Sequence, residues 1–433
     1  MRTRLALIAT AALVAGGCGG GSTGKQETAA SLAPASAPTF VSLDLRRLQR
    51  ADDVVAKFPI RDRALAEARK AIRGYGIDVD ALRRSAGREL DIAVLDQEAK
   101  QAVGFARPPD EKRFERALDR SRLVHQSTNG WTTFSRDPAA LAAVQQADAK
   151  LADAAAYRRA TERLPDDAFA TAYVAGREAR EYVKRARWAS AALLTHDEGI
   201  ELQAFVDAPG LPGARSYDAA LADLIPDGSV AAVSFRDLGD VVRRSKTELL
   251  GIQLADLADA FDGEGILYVR PGALIPEVTL VTKGGDEAAL HRIVRALAPK
   301  NAQPTKTTIE GVTLNELALG PVTILYGAVG GKLVITDNAN AIRALKTGDR
   351  PKLADDDSTF KAVRDAAHMP DETNGWLYLN VEDGLPLVEA IAQLANEKLP
   401  RAWVENLRVV RSALVYGTRE GDTQTLVAFV QTH

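Results

Sequence analysis

Strand-like and helix-like signals recur in the same order in the two halves of this chain, and that recurrence restricts its fold more than any other feature. Residues 40–45 (FVSLDL) match residues 232–238 (AVSFRDL): each is a strand-like opening followed by a helical, charge-rich stretch. Residues 91–96 (DIAVLD) match 265–270 (GILYVR) as short β-rich runs. Residues 102–106 and 278–282 each lead into an Asp-Glu pair and a helix, at Asp110 and at Asp286. Residues 132–135 and 333–336 run into helices near Pro138 and Ala339. A helix near Tyr157 or Phe360 ends before Pro165 or Pro370, and a strand follows at 169–174 or 376–381. The last pair is the sharpest. Two alternating runs flank Glu198-Gly199, and two more flank Glu420-Gly421, which predicts a hairpin in each half.

The expected fold class is α+β: two tandem copies of a mixed or antiparallel sheet, each with helices packed on one face. The expected boundaries are residues 39–210 and 211–433, with the Pro- and Gly-rich stretch 207–216 as the seam. The second half has extra length at 305–329, where alternation in 312–319 and 322–329 predicts an added hairpin. Apolar residues at helical spacing mark 60–72, 245–261 and 386–399 as helices.

Ahead of this body lies an address signal. Arg2 and Arg4 precede an apolar run, residues 5–15, that is too short to cross a bilayer but suits the core of a secretory signal. The run ends in Leu13-Val14-Ala15-Gly16-Gly17-Cys18, which resembles the bacterial lipobox. Small side chains there let a peptidase reach the backbone, and the thiol accepts a diacylglyceryl group. The expectation is a signal peptide over residues 1–17, cleavage between Gly17 and Cys18, and lipidation of Cys18, the chain's lone cysteine. Residues 18–38, poor in large apolar side chains, are expected to form a flexible tether.

The ordered series of blocks behind such a signal resembles a family of duplicated bacterial envelope lipoproteins of uncharacterised function (domain of unknown function 3352). The resemblance covers nearly all of the body and rests on overall pattern. It implies an envelope location and supplies no activity or catalytic residues.

The formal net charge is −3, and loss of Arg2 and Arg4 would make it −5, so no nucleic-acid partner is expected. The five histidines share no i, i+4 spacing, and no metal or cofactor site is expected. The chain has no G-x-S-x-G elbow, H-E-x-x-H, P-loop or G-x-G-x-x-G fingerprint, so no catalytic residues are assigned. Lys283-Gly284-Gly285-Asp286 and the triple aspartate 355–357 predict helix capping rather than phosphate or calcium binding. Thr128-Asn129-Gly130-Trp131 and Thr373-Asn374-Gly375-Trp376 predict Asn-Gly turns feeding strands. Glu178, Arg180, Glu181, Lys184, Arg185 and Arg187 predict a solvated helix face, with partner docking as the second reading.

These features predict a non-catalytic binding or scaffold lipoprotein. It would be lipid-anchored on the extracytoplasmic face of the cell membrane and meet an envelope protein, peptide or lipid. The alternative is a carrier of an apolar ligand such as a lipid.

Overall fold

The computed structural model describes residues 28–433 apart from most of 60–83 and 238–262 and short stretches at 211–214, 273–274, 299–301, 321 and 349. Two compact units emerge. The first comprises the chain up to Leu211 with Gly421–Leu426; the second comprises Pro212–Glu420 with Val427–His433.

The first unit carries β1 (Thr39–Asp44), β2 (Glu89–Asp96), β3 (Gln101–Ala106), β4 (Val124–Thr128), β5 (Trp131–Ser135), β6 (Ala170–Ala175), β7 (Trp188–His196) and β8 (Gly199–Asp207). Their order is β4-β5-β3-β2-β1-β6-β7-β8, with every neighbour antiparallel. β1 is central, pairing Val41 with Ile92 on one side and with Ala172 on the other.

The second unit carries β10 (Ala231–Arg236), β13 (Glu264–Arg270), β14 (Glu277–Lys283), β15 (Thr305–Ile309), β16 (Val312–Leu319), β17 (Val322–Val329), β18 (Lys332–Thr336), β20 (Gly375–Asn380) and β21 (Val410–Glu420). Two-residue strands β9 (Tyr217–Asp218), β11 (Glu248–Leu249), β12 (Ile252–Gln253) and β19 (Glu372–Thr373) lie between them, and β22 (Thr423–Thr432) ends the chain. The antiparallel order is β15-β16-β17-β18-β14-β13-β10-β20-β21. The hairpin expected at 312–319 and 322–329 forms as β16 and β17, and β15 extends it.

Two expectations about the architecture are overturned. The longer strands do not form two separate sheets; eighteen of them belong to one hydrogen-bonded sheet. Joining strands reduces the number of edges that expose unpaired backbone groups. Helices also cover both sheet faces, not one. In the first unit Val41, Leu43 and Ile92 pack with Leu48 of the helix Arg47–Val55 and Phe114 of the helix Glu111–Arg120. Phe40, Ala93 and Tyr173, which alternate with them, pack with Leu141 of the helix Pro138–Gln146 and Ala160 of the helix Ala155–Thr161. The reason lies in the strands: 92–94 and 102–106 are buried without a break, so both faces need cover. In the second unit Val334 faces the helix Ser358–Ala366, while its neighbour Leu333 faces the helix Glu287–Leu297.

Local expectations fare unevenly. Asp110, Asp286 and Asp357 cap their helices, their carboxylates accepting from the backbone N–H of Arg113, Ala288 and Phe360 at 2.9, 2.8 and 2.8 Å. Asn129 and Gly130, at φ 53° and 76°, form the two-residue turn joining β4 to β5. Asn374-Gly375 makes no such turn: Asn374 donates its backbone N–H to the Gly417 carbonyl and β20 begins at Gly375. The expected helix at 386–399 runs from Val381 to Leu394, with Asn380 as its cap and Pro386 inside it. The charge run is not a helix beyond Gly176–Ala179. A tether reaching Pro38 is also wrong, because Ala29, Ala30, Ala33 and Ala37 are buried against Leu151 and Trp188. Small alanines fit closely there and lose almost no side-chain entropy on burial.

Each unit has an aromatic ring seated over a glycine of the adjacent strand. A Cβ at Gly104 would lie 2.3 Å from the Phe134 ring, and one at Gly265 would lie 2.3 Å from the Phe235 ring. The residues are direct cross-strand partners, so neither ring can slide aside without leaving its register. Gly104→Ala and Gly265→Ala are each expected to destabilise the protein by about 1–3 kcal/mol. Urea denaturation of the two variants checks this.

Candidate functional site

Cys18 and Gly17, the lipidation and cleavage positions expected from sequence, lie outside the described residues. Within them, a polar cleft of about 380 Å³ opens in the first unit. The turn after the helix Ala155–Thr161 supplies Glu162 and Arg163, and the helix itself supplies Arg159. β7 brings Trp188, with Arg187 just before it; β8 ends in Asp207; Asp422 and Thr423 complete the lining.

Arg187 organises the cleft. Its Nε and Nη2 donate to the two Asp207 carboxylate oxygens at 2.9 and 2.6 Å, a bidentate pairing that fixes the guanidinium plane. Nη2 also donates to Asp422 Oδ2 at 2.9 Å. The backbone repeats the arrangement: Arg187 N–H donates to the Asp207 carbonyl, and Ala208 N–H to the Asp422 carbonyl. Asp207 is buried and Asp422 half exposed. The Asp207 hydrogen bonds come first in holding the Arg187 pKa above its ordinary value. Beneath them Trp188 is buried, and its Nε1 has no hydrogen-bond partner. Three guanidiniums and three carboxylates line this cleft, with Arg187 tied to two of the carboxylates. The arrangement suits recognition of a polar group by hydrogen bonds and leaves Arg187 no freedom to shuttle protons.

A second cleft, of about 250 Å³, lies in the second unit, between the start of the helix Ala339–Thr347 and strands β13 and β14. Arg350 sits over the Tyr268 ring at 5.8 Å, and Arg270 faces Glu277 at 4.0 Å.

The most perturbed acid is elsewhere, inside the first unit. Asp91 on β2 is fully enclosed, its Oδ2 without a hydrogen-bond partner. Burial, and then the neighbouring Glu89 charge, push its pKa well above the usual carboxylate range, against a hydrogen bond with Ser42. Burial likewise raises Glu89, and raises Tyr157 with the help of both carboxylates. His196 is raised by its 2.7 Å hydrogen bond to the buried Glu201.

Of the residues singled out in the sequence, Arg187 reaches the cleft; Glu178, Arg180, Glu181, Lys184 and Arg185 do not line it. Asp207 and Asp422 had no sequence signal, because their pairing with Arg187 spans 20 and 235 positions.

No protein-family model and no curated protein matches the chain. Among solved structures it is similar to TP0453 in crystal forms IV, III and I. Identity is 14% in each, with TM-scores of 0.30, 0.28 and 0.26. The matches cover 48%, 49% and 50% of this chain and 79%, 92% and 93% of the other. No helix among the described residues is long and apolar enough to cross a membrane.

The Asp91 environment has a consequence for stability. A carboxyl whose folded-state pKa is raised contributes fully below its unfolded value, about 3.9, and that contribution is lost as pH rises through the folded value. Asp91→Asn, which cannot ionise, is expected to gain more than ~1 kcal/mol relative to the parent between about pH 4 and about pH 7. Urea unfolding at the two pH values tests this; equal pH slopes in both proteins would contradict it.

Proposed function

We propose that this chain is a lipid-anchored protein of the extracytoplasmic face of the cell membrane, acting as a non-catalytic binding or scaffold module of the envelope. The observation that carries the reading is the position of Cys18. The lone cysteine of the chain stands where an eleven-residue apolar run and two small glycines end. Acyl chains on that sulfur would hold the body at the bilayer durably, each buried methylene contributing roughly 0.8 kcal/mol.

The binding role draws on the Arg187 cleft. Arg187 engages Asp207 and Asp422 there, and the cleft's lining is too polar for an acyl chain. This favours a protein or peptide partner over the apolar-ligand reading. The resemblance to duplicated envelope lipoproteins is kept as part of the proposal, with the two units as descendants of one. Strand order supports it: β17-β18-β14-β13-β10-β20-β21 follows the same path as β4-β5-β3-β2-β1-β6-β7, with β15 and β16 added.

Cys18→Ser tests the anchor. The variant is expected to lose nearly all membrane retention on cell fractionation and to take up no radiolabelled fatty acid. Retention and labelling equal to the parent would refute the reading.

A further inference from the structure

We infer that the segment joining the helix Val381–Leu394 to the helix Arg401–Leu407 is a second membrane contact, one that dips into the lipid–water interface. The inference rests on the lipid-anchored reading for its setting, but not for its test.

The first helix buries Leu385 and Ala392 and turns Val388, Ile391 and Leu394 outward, at 38%, 39% and 76% exposure. Their spacing of three advances each one about 60° round the helix from the buried face, so the stripe ends on the far side at Leu394. Trp403 follows on the next helix, 46% exposed. Glu382 is held by Arg411 at 3.6 Å and Glu389 by Arg408 at 3.0 Å, and Ile391 and Leu394 follow these acids in the chain.

A bilayer surface fits this end better than a protein does. Four exposed apolar side chains fall far short of the roughly 20–30 residues a side that a stable protein interface uses. Tryptophan with leucine, flanked by exposed lysine and arginine, is the chemistry of the membrane interface. The ring sits at headgroup level and the cations meet lipid phosphates. Lys398 and Arg401 are exposed close in sequence to Leu394 and Trp403, with Arg401 also held by Glu405 at 2.7 Å. Residues 18–27 can span at most about 35 Å, so an acyl anchor on Cys18 would keep the first unit near the lipid, and the second unit, covalently joined to it, would meet lipid at a raised effective concentration.

The tryptophans provide the readout. Trp131, Trp188 and Trp376 are 2%, 3% and 5% exposed, which leaves Trp403 as the one able to sense added lipid. The mature chain, residues 18–433 with Cys18→Ser so that no acyl chain contributes, is titrated with vesicles of phosphatidylglycerol and phosphatidylcholine. Its emission should shift to the blue, and brominated lipid should quench it. Trp403→Phe should remove the spectral change while most co-sedimentation with vesicles persists. Leu394→Ser with Trp403→Ser should lower vesicle partitioning at least about tenfold. Should that pair misfold, Lys398→Glu with Arg401→Glu should weaken binding to the anionic vesicles by about tenfold. Unchanged emission with no co-sedimentation overturns the inference, as does partitioning that survives both double variants. Membrane retention of Cys18→Ser in cells separately decides the acyl anchor.

Discussion

Everything in this fold depends on the first long strand of each unit being hydrogen-bonded on both sides. β1 accepts β2 along one edge and β6 along the other, and β10 does the same with β13 and β20. A central strand with both edges paired has no backbone group left for water, so it can carry apolar side chains on both faces. That is why Phe40 and Val41 sit in different cores, and why helices are needed above and below. For β1 one partner is the next strand, β2; the other returns from farther along the chain, so Val41 meets Ala172 only when the unit is nearly complete.

This explains which parts of the fold were legible in the sequence. Strands, hairpins and caps depend on neighbours a few positions away. The runs at 91–96 and 265–270, the Asn129-Gly130 turn and the Asp110 and Asp286 caps all carry local chemistry that appears in the letters. What failed was long-range. A strand apolar on both faces looks the same as one whose helices lie on a single face until its partners are known. The alanines at 29–37 read as linker because small residues carry no strong signal, yet they suit close packing on Leu151. Apolar spacing marks a helix from 386, but its cap, Asn380, lies six residues earlier, where the apolar period is not yet visible.

The polar cleft follows the same division. Arg187 stood out as the end of a charge run; its carboxylates did not, since one arrives on β8 and the other on the turn before β22. A site assembled this way has its geometry fixed by the sheet, and an ion pair whose buried partner is Asp207 resists rearrangement more than a surface pair would. The anchor we propose and the binding surface we propose thus fall to different parts of the chain: one on Cys18, the other on the sheet strands that place Arg187 within hydrogen-bond reach of Asp207.

Native-state hydrogen exchange tests the central-strand claim most directly. Amides of Val41, Leu43 and Val233 should be among the slowest in the protein, opening only with global unfolding, while those of β4 at the edge of its unit exchange far faster. If β1 and β10 exchange as quickly as β4, the units are not built around these central strands and the account fails.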